Sequence, residues 1–74
     1  MMFGKKLEAA IKQQKERFPE GCRVRLVRMD DEQAPVAGTE GTVTHVDGIA
    51  SVHVRWDSGS SLAALYEVDE IERI

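Results

Sequence analysis

Thr42-Val43-Thr44-His45-Val46-Asp47-Gly48-Ile49-Ala50-Ser51-Val52-His53-Val54-Arg55-Trp56 is the stretch that decides the fold. Its second half alternates, with Val52, Val54 and Trp56 on one face and Ser51, His53 and Arg55 on the other, which is the period of a half-buried strand. Asp47-Gly48 is the dipeptide a tight hairpin turn favours, because its residues tolerate the left-handed backbone such turns need. The stretch predicts an antiparallel hairpin with strands over residues 42–46 and 51–56. If residues 47 and 50 close the turn, Val43 stands opposite Val54 and joins the core, and His45 stands opposite Val52.

Toward the C-terminus, Asp57-Ser58-Gly59 makes the next tight turn, and residues 60–65 read as a fourth strand with Leu62 in the core. A short turn around Tyr66-Glu67-Val68 leads to a last strand over residues 70–74, in which Ile71 and Ile74 close the barrel. Toward the N-terminus, Val24 and Leu26 alternate with Arg23 and Arg25, giving a first strand with one basic face. The run Val27-Arg28-Met29 breaks the alternation, as a bulge or a strand end would. Residues 30–41 carry turn formers and little periodicity, a long loop of the kind that is functional or mobile.

Ahead of the strands the period changes to that of a helix. In residues 5–17, Leu7, Ala10, Ile11 and Gln14 line one narrow stripe, and Phe18 extends it. Glu8–Lys12 and Lys12–Glu16 stand at helical i, i+4 spacing, and Pro19 and Gly21 stop the helix. The expected architecture is therefore mainly β: a small SH3-like, five-stranded antiparallel barrel over residues 19–74, preceded by one amphipathic α-helix over residues 1–18. Closing a short sheet into a barrel removes exposed edges. An open meander with the helix on one face is the alternative.

Composition narrows the class. A chain of 74 residues supports one domain with a modest core. One cysteine, Cys22, makes no internal disulfide, no Cys/His set has zinc-site spacing, and a lone thiol suits a reducing compartment. Lys5 and Lys6 follow the first residues at once with no apolar stretch behind them, and no run reaches the roughly 20 apolar residues that span a bilayer. A cytoplasmic protein is expected. The net charge of −3 is uneven. Residues 1–28 hold eight Lys/Arg and three Glu (+5); residues 29–74 hold two Arg and ten Asp/Glu (−8). Such polarity marks a polyanion-binding face, or two halves that attract each other within one molecule or head-to-tail between copies.

The segments Phe18-Pro19-Glu20-Gly21, Arg23 to Asp31, Gln33-Ala34-Pro35, Gly38-Thr39-Glu40-Gly41-Thr42-Val43 and Val52 to Leu62 together resemble domain-of-unknown-function family 4314. The resemblance covers about residues 18–74 and leaves the helix outside. Glu32 stands where that family often has proline, Ser58 where asparagine is commoner, and Tyr66-Glu67 where Pro-Gly is frequent. The resemblance implies a bacterial domain, often phage or mobile-element encoded, with no established activity. More loosely, the Gly38 to Val43 segment resembles KOW and Tudor-type barrels, and Val54 to Gly59 resembles the Mib/Herc2 domain, groups that bind nucleic acids, ribosomal or transcription partners, or peptides. Fold likeness alone does not choose among these.

No catalytic residue and no metal ligand set is expected. Cys22, His45 and His53 form no local nucleophile–base motif, and the two histidines converge only if the hairpin turn centres on Ile49. No cofactor is implied. The leading expectation is a non-catalytic protein-interaction module. Its face is Arg55, Trp56 and Tyr66, with the acidic pair Asp30 and Asp31 docking a basic partner; Trp56 serves either the core or the floor of a groove. The alternative is a nucleic-acid-binding barrel using Lys5, Lys6, Lys12, Lys15, Arg17, Arg23, Arg25 and Arg28 against phosphates. Under it, Arg23 and Arg25 compete with cross-strand pairing to Glu70 and Glu72. Homodimerisation through the helix is a third expectation.

Overall fold

A computed structural model describes residues 3–74. One helix, α1 (Gly4–Arg17), is followed by four strands: β1 (Arg23–Arg28), β2 (Glu40–Val46), β3 (Val52–Trp56) and β4 (Glu70–Arg73). They form one antiparallel sheet in the order β3-β2-β1-β4. The chain is mainly β with a helix, and the sheet is open rather than a closed five-stranded barrel.

The missing strand has a physical cause. Residues 60–65 were expected to form a strand, but only Ala64 makes a bridge, exchanging two backbone hydrogen bonds with Val52 at 2.8 and 2.9 Å. Two residues earlier the ladder is replaced by a side chain: the indole Nε1 of Trp56 donates to the carbonyl of Leu62 at 2.9 Å. The segment's other backbone bond to β3 is the Trp56–Ser60 turn contact at 3.0 Å, and between these two contacts the indole bond stands where a ladder bond would. At the C-terminus, Ile71 enters the core as expected. Ile74 does not: it is 48% exposed, although its amide still donates to the Arg23 carbonyl.

The hairpin forms where its alternation places it, with one shift. Val43 pairs with Val54, but Thr44 is an extra residue on β2, and beyond it His45 pairs with His53 and Val46 with Val52. The bulge overturns the expected His45–Val52 pairing. It also lengthens the connection, so that Asp47 N–H donates to Ser51 at 3.0 Å and Ala50 N–H to Asp47 at 3.1 Å. Ala50 takes the left-handed conformation (φ 66°) that a three-residue hairpin loop requires at its last position. A second irregularity, between Leu26 and Arg28 on the β1–β4 pair, sits where the alternation breaks.

The core is one cluster under the sheet. Val24 and Leu26 of β1, Val43 of β2, Val52, Val54 and Trp56 of β3, Ile71 of β4, Ala64 and Phe18 are all buried. Fully burying side chains of this size contributes about 1.5–3 kcal/mol each. Gly41 lets β2 approach β3 closely, since a Cβ there would lie 2.6 Å from Val54 Cγ1 and 2.9 Å from the Arg55 carbonyl. The helix docks by the expected stripe: Ala10, Gln14 and Phe18 are buried, and Leu7 and Ile11 are half-buried. Gln14 Nε2 donates to Ala50 O at 3.4 Å, tying α1 to the hairpin loop.

Candidate functional site

The structure separates the residues expected to form one binding face. Trp56 is 1% exposed and belongs to the core, so its ring offers no surface to a partner. Arg55, its neighbour in β3, is exposed on the opposite face of the strand, beside Thr42 in register. Tyr66 lies on the helix side, its hydroxyl 3.5 Å from Gln13 Oε1. Alternation explains the split: neighbouring strand residues point to opposite faces, so Arg55 and Trp56 cannot share one.

The arginines of β1 are largely occupied. Arg23 donates from both terminal nitrogens to the Asp57 carboxylate, one bond at 2.8 Å, and from Nη1 to Thr42 Oγ1 at 3.1 Å; Glu40 lies 3.5 Å away. That bidentate bond holds the Asp57 carboxyl below the usual carboxylate range, outweighing a smaller opposing effect of desolvation. Arg25 donates to Glu72 at 3.0 Å, the cross-strand pairing expected of it, with Glu40 at 3.8 Å. Arg23 turns instead to Asp57 rather than to Glu70. Arg28 stands opposite Glu70 in the β1–β4 register. Lys5, Lys6, Lys12, Lys15 and Arg17 are exposed on α1, and Arg17 stacks its guanidinium 4.9 Å from the Phe18 ring centroid.

The bulge at Thr44 brings His45 and His53 together, their rings stacked with centroids 4.2 Å apart and 10° between planes. His53 Nε2 lies 2.7 Å from Asp47 Oδ2, and because a carboxylate only accepts, this ring nitrogen donates. Asp47 Oδ1 accepts from the amides of Ile49 and Ser51, both at 3.0 Å. Desolvation works to raise the Asp47 pKa, but the hydrogen bonds from His53, Ile49 and Ser51 together prevail and hold it below the ordinary carboxylate value. Asp47 is thus the knot of the hairpin loop. Among the described residues no group of three His, Cys, Asp or Glu side chains is placed to hold a metal ion.

The site that emerges is elsewhere. Residues 29–31, at the start of the long loop, face the 62–69 segment across an open groove of about 260 Å³. Met29, Leu62, Ala63, Leu65 and Val68 line it with apolar surface, and Asp30, Asp31 and Asp69 stand at its rim. Leu65 and Val68 are exposed, Val68 by 58%. The local geometry is built. Asp31 Oδ1 accepts from Gln33 N–H at 2.8 Å, fixing the loop turn. Asp69 Oδ2 accepts from Leu65 N–H at 2.8 Å, and the Val68 and Asp69 amides donate back to the Leu65 carbonyl, closing one turn around Glu67. Leu62 is set from beneath by Trp56. Among the described residues no Lys, Arg or His pairs with Asp30, Asp31 or Asp69. Asp30 and Asp31 were legible as an acidic loop; the apolar half of the groove was not, because residues 62–68 carry no periodicity and fold across from a distant part of the chain.

These features define a small, helix-docked antiparallel-sheet domain whose sheet is open rather than closed into a barrel, with an apolar groove edged by carboxylates. The family model described as a domain of unknown function (DUF4314) matches residues 7–74, and the chain belongs to that family. The match begins inside α1, so the family's unit takes in most of the helix and not residues 18–74 alone. No curated protein matches the chain, and no solved structure does. No helix among the described residues is long and apolar enough to cross a membrane.

Proposed function

We propose that this chain is a non-catalytic protein-interaction module that takes an apolar segment bearing lysine or arginine into the groove between residues 29–31 and 62–69. The observation that carries the reading is the juxtaposition of exposed Leu65 and Val68 with three carboxylates that no Lys, Arg or His among the described residues pairs. Apolar surface supplies affinity on burial, and unpaired rim charge selects the sign of the partner and speeds encounter. Asp30 and Asp31 keep the role expected of them, while Leu65 and Val68 take the place of Trp56 and Tyr66 as apolar anchors.

The nucleic-acid reading is weakened by the carboxylates that hold Arg23 and Arg25, which leave the helix lysines as its main cations. The test is a titration of ¹⁵N-labelled protein with a synthetic peptide of alternating leucine and lysine, and with its leucine–glutamate counterpart. Amide shifts at Met29, Asp30, Asp31, Leu65 and Val68 with the lysine peptide only support the groove. Shifts confined to α1, or equal responses to both peptides, overturn it.

A further inference from the structure

We infer that the segment entering this groove is the N-terminal end of α1 from a second copy of the chain, an inference that rests on the groove reading above. Three observations meet. First, the stripe that docks α1 covers Ala10, Gln14 and Phe18 but runs out before the helix begins: Leu7 is only half-buried, and Phe3, at the N-cap, is 73% exposed. Helix-to-sheet packing within one copy thus leaves an apolar end uncovered. Second, that end carries Lys5 and Lys6, exposed and with no carboxylate partner among the described residues. Third, the groove offers the complement: apolar Met29, Leu65 and Val68 beside Asp30, Asp31 and Asp69, which form no ion pair among the described residues.

The whole chain repeats this polarity, with +5 in residues 1–28 and −8 in residues 29–74. Within one copy part of it is satisfied by Arg23 and Arg25. What remains is a basic apolar knob and an acidic apolar groove, each without an ion-pair partner among the described residues. A helix end laid in a groove through a few apolar anchors is a recurring recognition mode, and the charges fix which end enters. Phe3 and Leu7 lie against Met29, Leu65 and Val68, with Lys5 and Lys6 facing Asp30 and Asp31.

The test is sedimentation velocity on the full chain over a range of concentrations, at low and moderate salt, with two charge-reversal variants. K5E/K6E reverses the knob and leaves the groove intact; D30K/D31K reverses the groove and leaves the knob intact. All four positions are exposed, and a cooperative melting transition in each variant shows that it is folded. Wild type is expected above monomer mass as concentration rises, falling back toward monomer at moderate salt as the charges are screened. Each variant alone is expected to associate at least tenfold more weakly. Mixed one to one, they are expected to recover association, since the mixture holds one native and one swapped charge contact. Wild type at monomer mass throughout, variants that associate as wild type does, or a mixture that stays monomeric would each overturn the second copy as occupant. If the groove nonetheless takes the leucine–lysine peptide, only this inference falls; if it takes neither, the groove reading falls with it.

Discussion

Trp56 and Leu62 are joined by one hydrogen bond from an indole to a carbonyl, 2.9 Å long, and that bond connects the core to the surface groove. Trp56 is sealed in the core, while Leu62 lines the groove. The same contact lies within the segment 60–65 that was expected as a strand, and it ties a groove-lining residue to the core.

Replacing Trp56 with Phe removes the indole donor together with part of the buried ring, so a cavity adds to the lost hydrogen bond. The Leu62 carbonyl then loses its partner, at a cost of about 1–3 kcal/mol. Urea unfolding should show that loss. Amide exchange should rise over residues 60–64 while β1 and β2 stay protected; uniform loosening of the whole sheet would count against a local role.

Gly41 tests the closeness of β2 and β3. A methyl group there meets Val54 Cγ1 and the Arg55 backbone at distances no Cβ tolerates. Gly41→Ala should destabilise by about 1–3 kcal/mol or more through overpacking. Gly48→Ala, which meets nothing within 4 Å, is the control and should change stability by less than about 1 kcal/mol. Equal effects at both positions would contradict the packing.

Glu67 sits in the left-handed region with φ 61°, at the position where the family resemblance favours glycine. A non-glycine residue there carries strain of about 1 kcal/mol or more. Glu67→Gly should therefore be stabilising by up to about 1 kcal/mol, read as a raised melting temperature. A lowered melting temperature would show that the Glu67 side chain contributes more than its backbone costs.

Asp47 sets an acid dependence of known sign. Its folded pKa lies below the ordinary 3.8, so its contribution is fully present above that value and is lost as pH falls through the folded one. Asp47→Asn keeps an acceptor for the Ile49 and Ser51 amides but carries no titrating charge. Its stability should fall less than wild type between about pH 4 and pH 2. Parallel acid limbs for the two proteins would contradict the assignment, since Asp57 is common to both.

How much was legible divides along physical lines. The helix stripe of Leu7, Ala10, Ile11, Gln14 and Phe18, the Val43–Val54 pair and the Arg25–Glu72 pair were all readable, because each depends on a local period or a cross-strand charge match. The extra residue at Thr44 was not: alternation fixes faces, and a single bulge changes every partner beyond it, which is how His45 met His53. The 60–65 segment makes a single bridge and an indole bond where a strand was expected, and Ile74 is 48% exposed where it was expected in the core. For the site, Asp30 and Asp31 stood out by composition. Their apolar counterparts Leu65 and Val68 come from an aperiodic turn more than thirty residues away, where no local signal links them.

The most direct test of the groove is calorimetric titration of the leucine–lysine peptide into wild type and into D30K/D31K at matched low salt. Micromolar binding to wild type, weakened at least tenfold in D30K/D31K with its cooperative melting transition retained, is the predicted result. Equal affinity for both proteins, or no heat with either, would contradict an interaction site between residues 29–31 and 62–69.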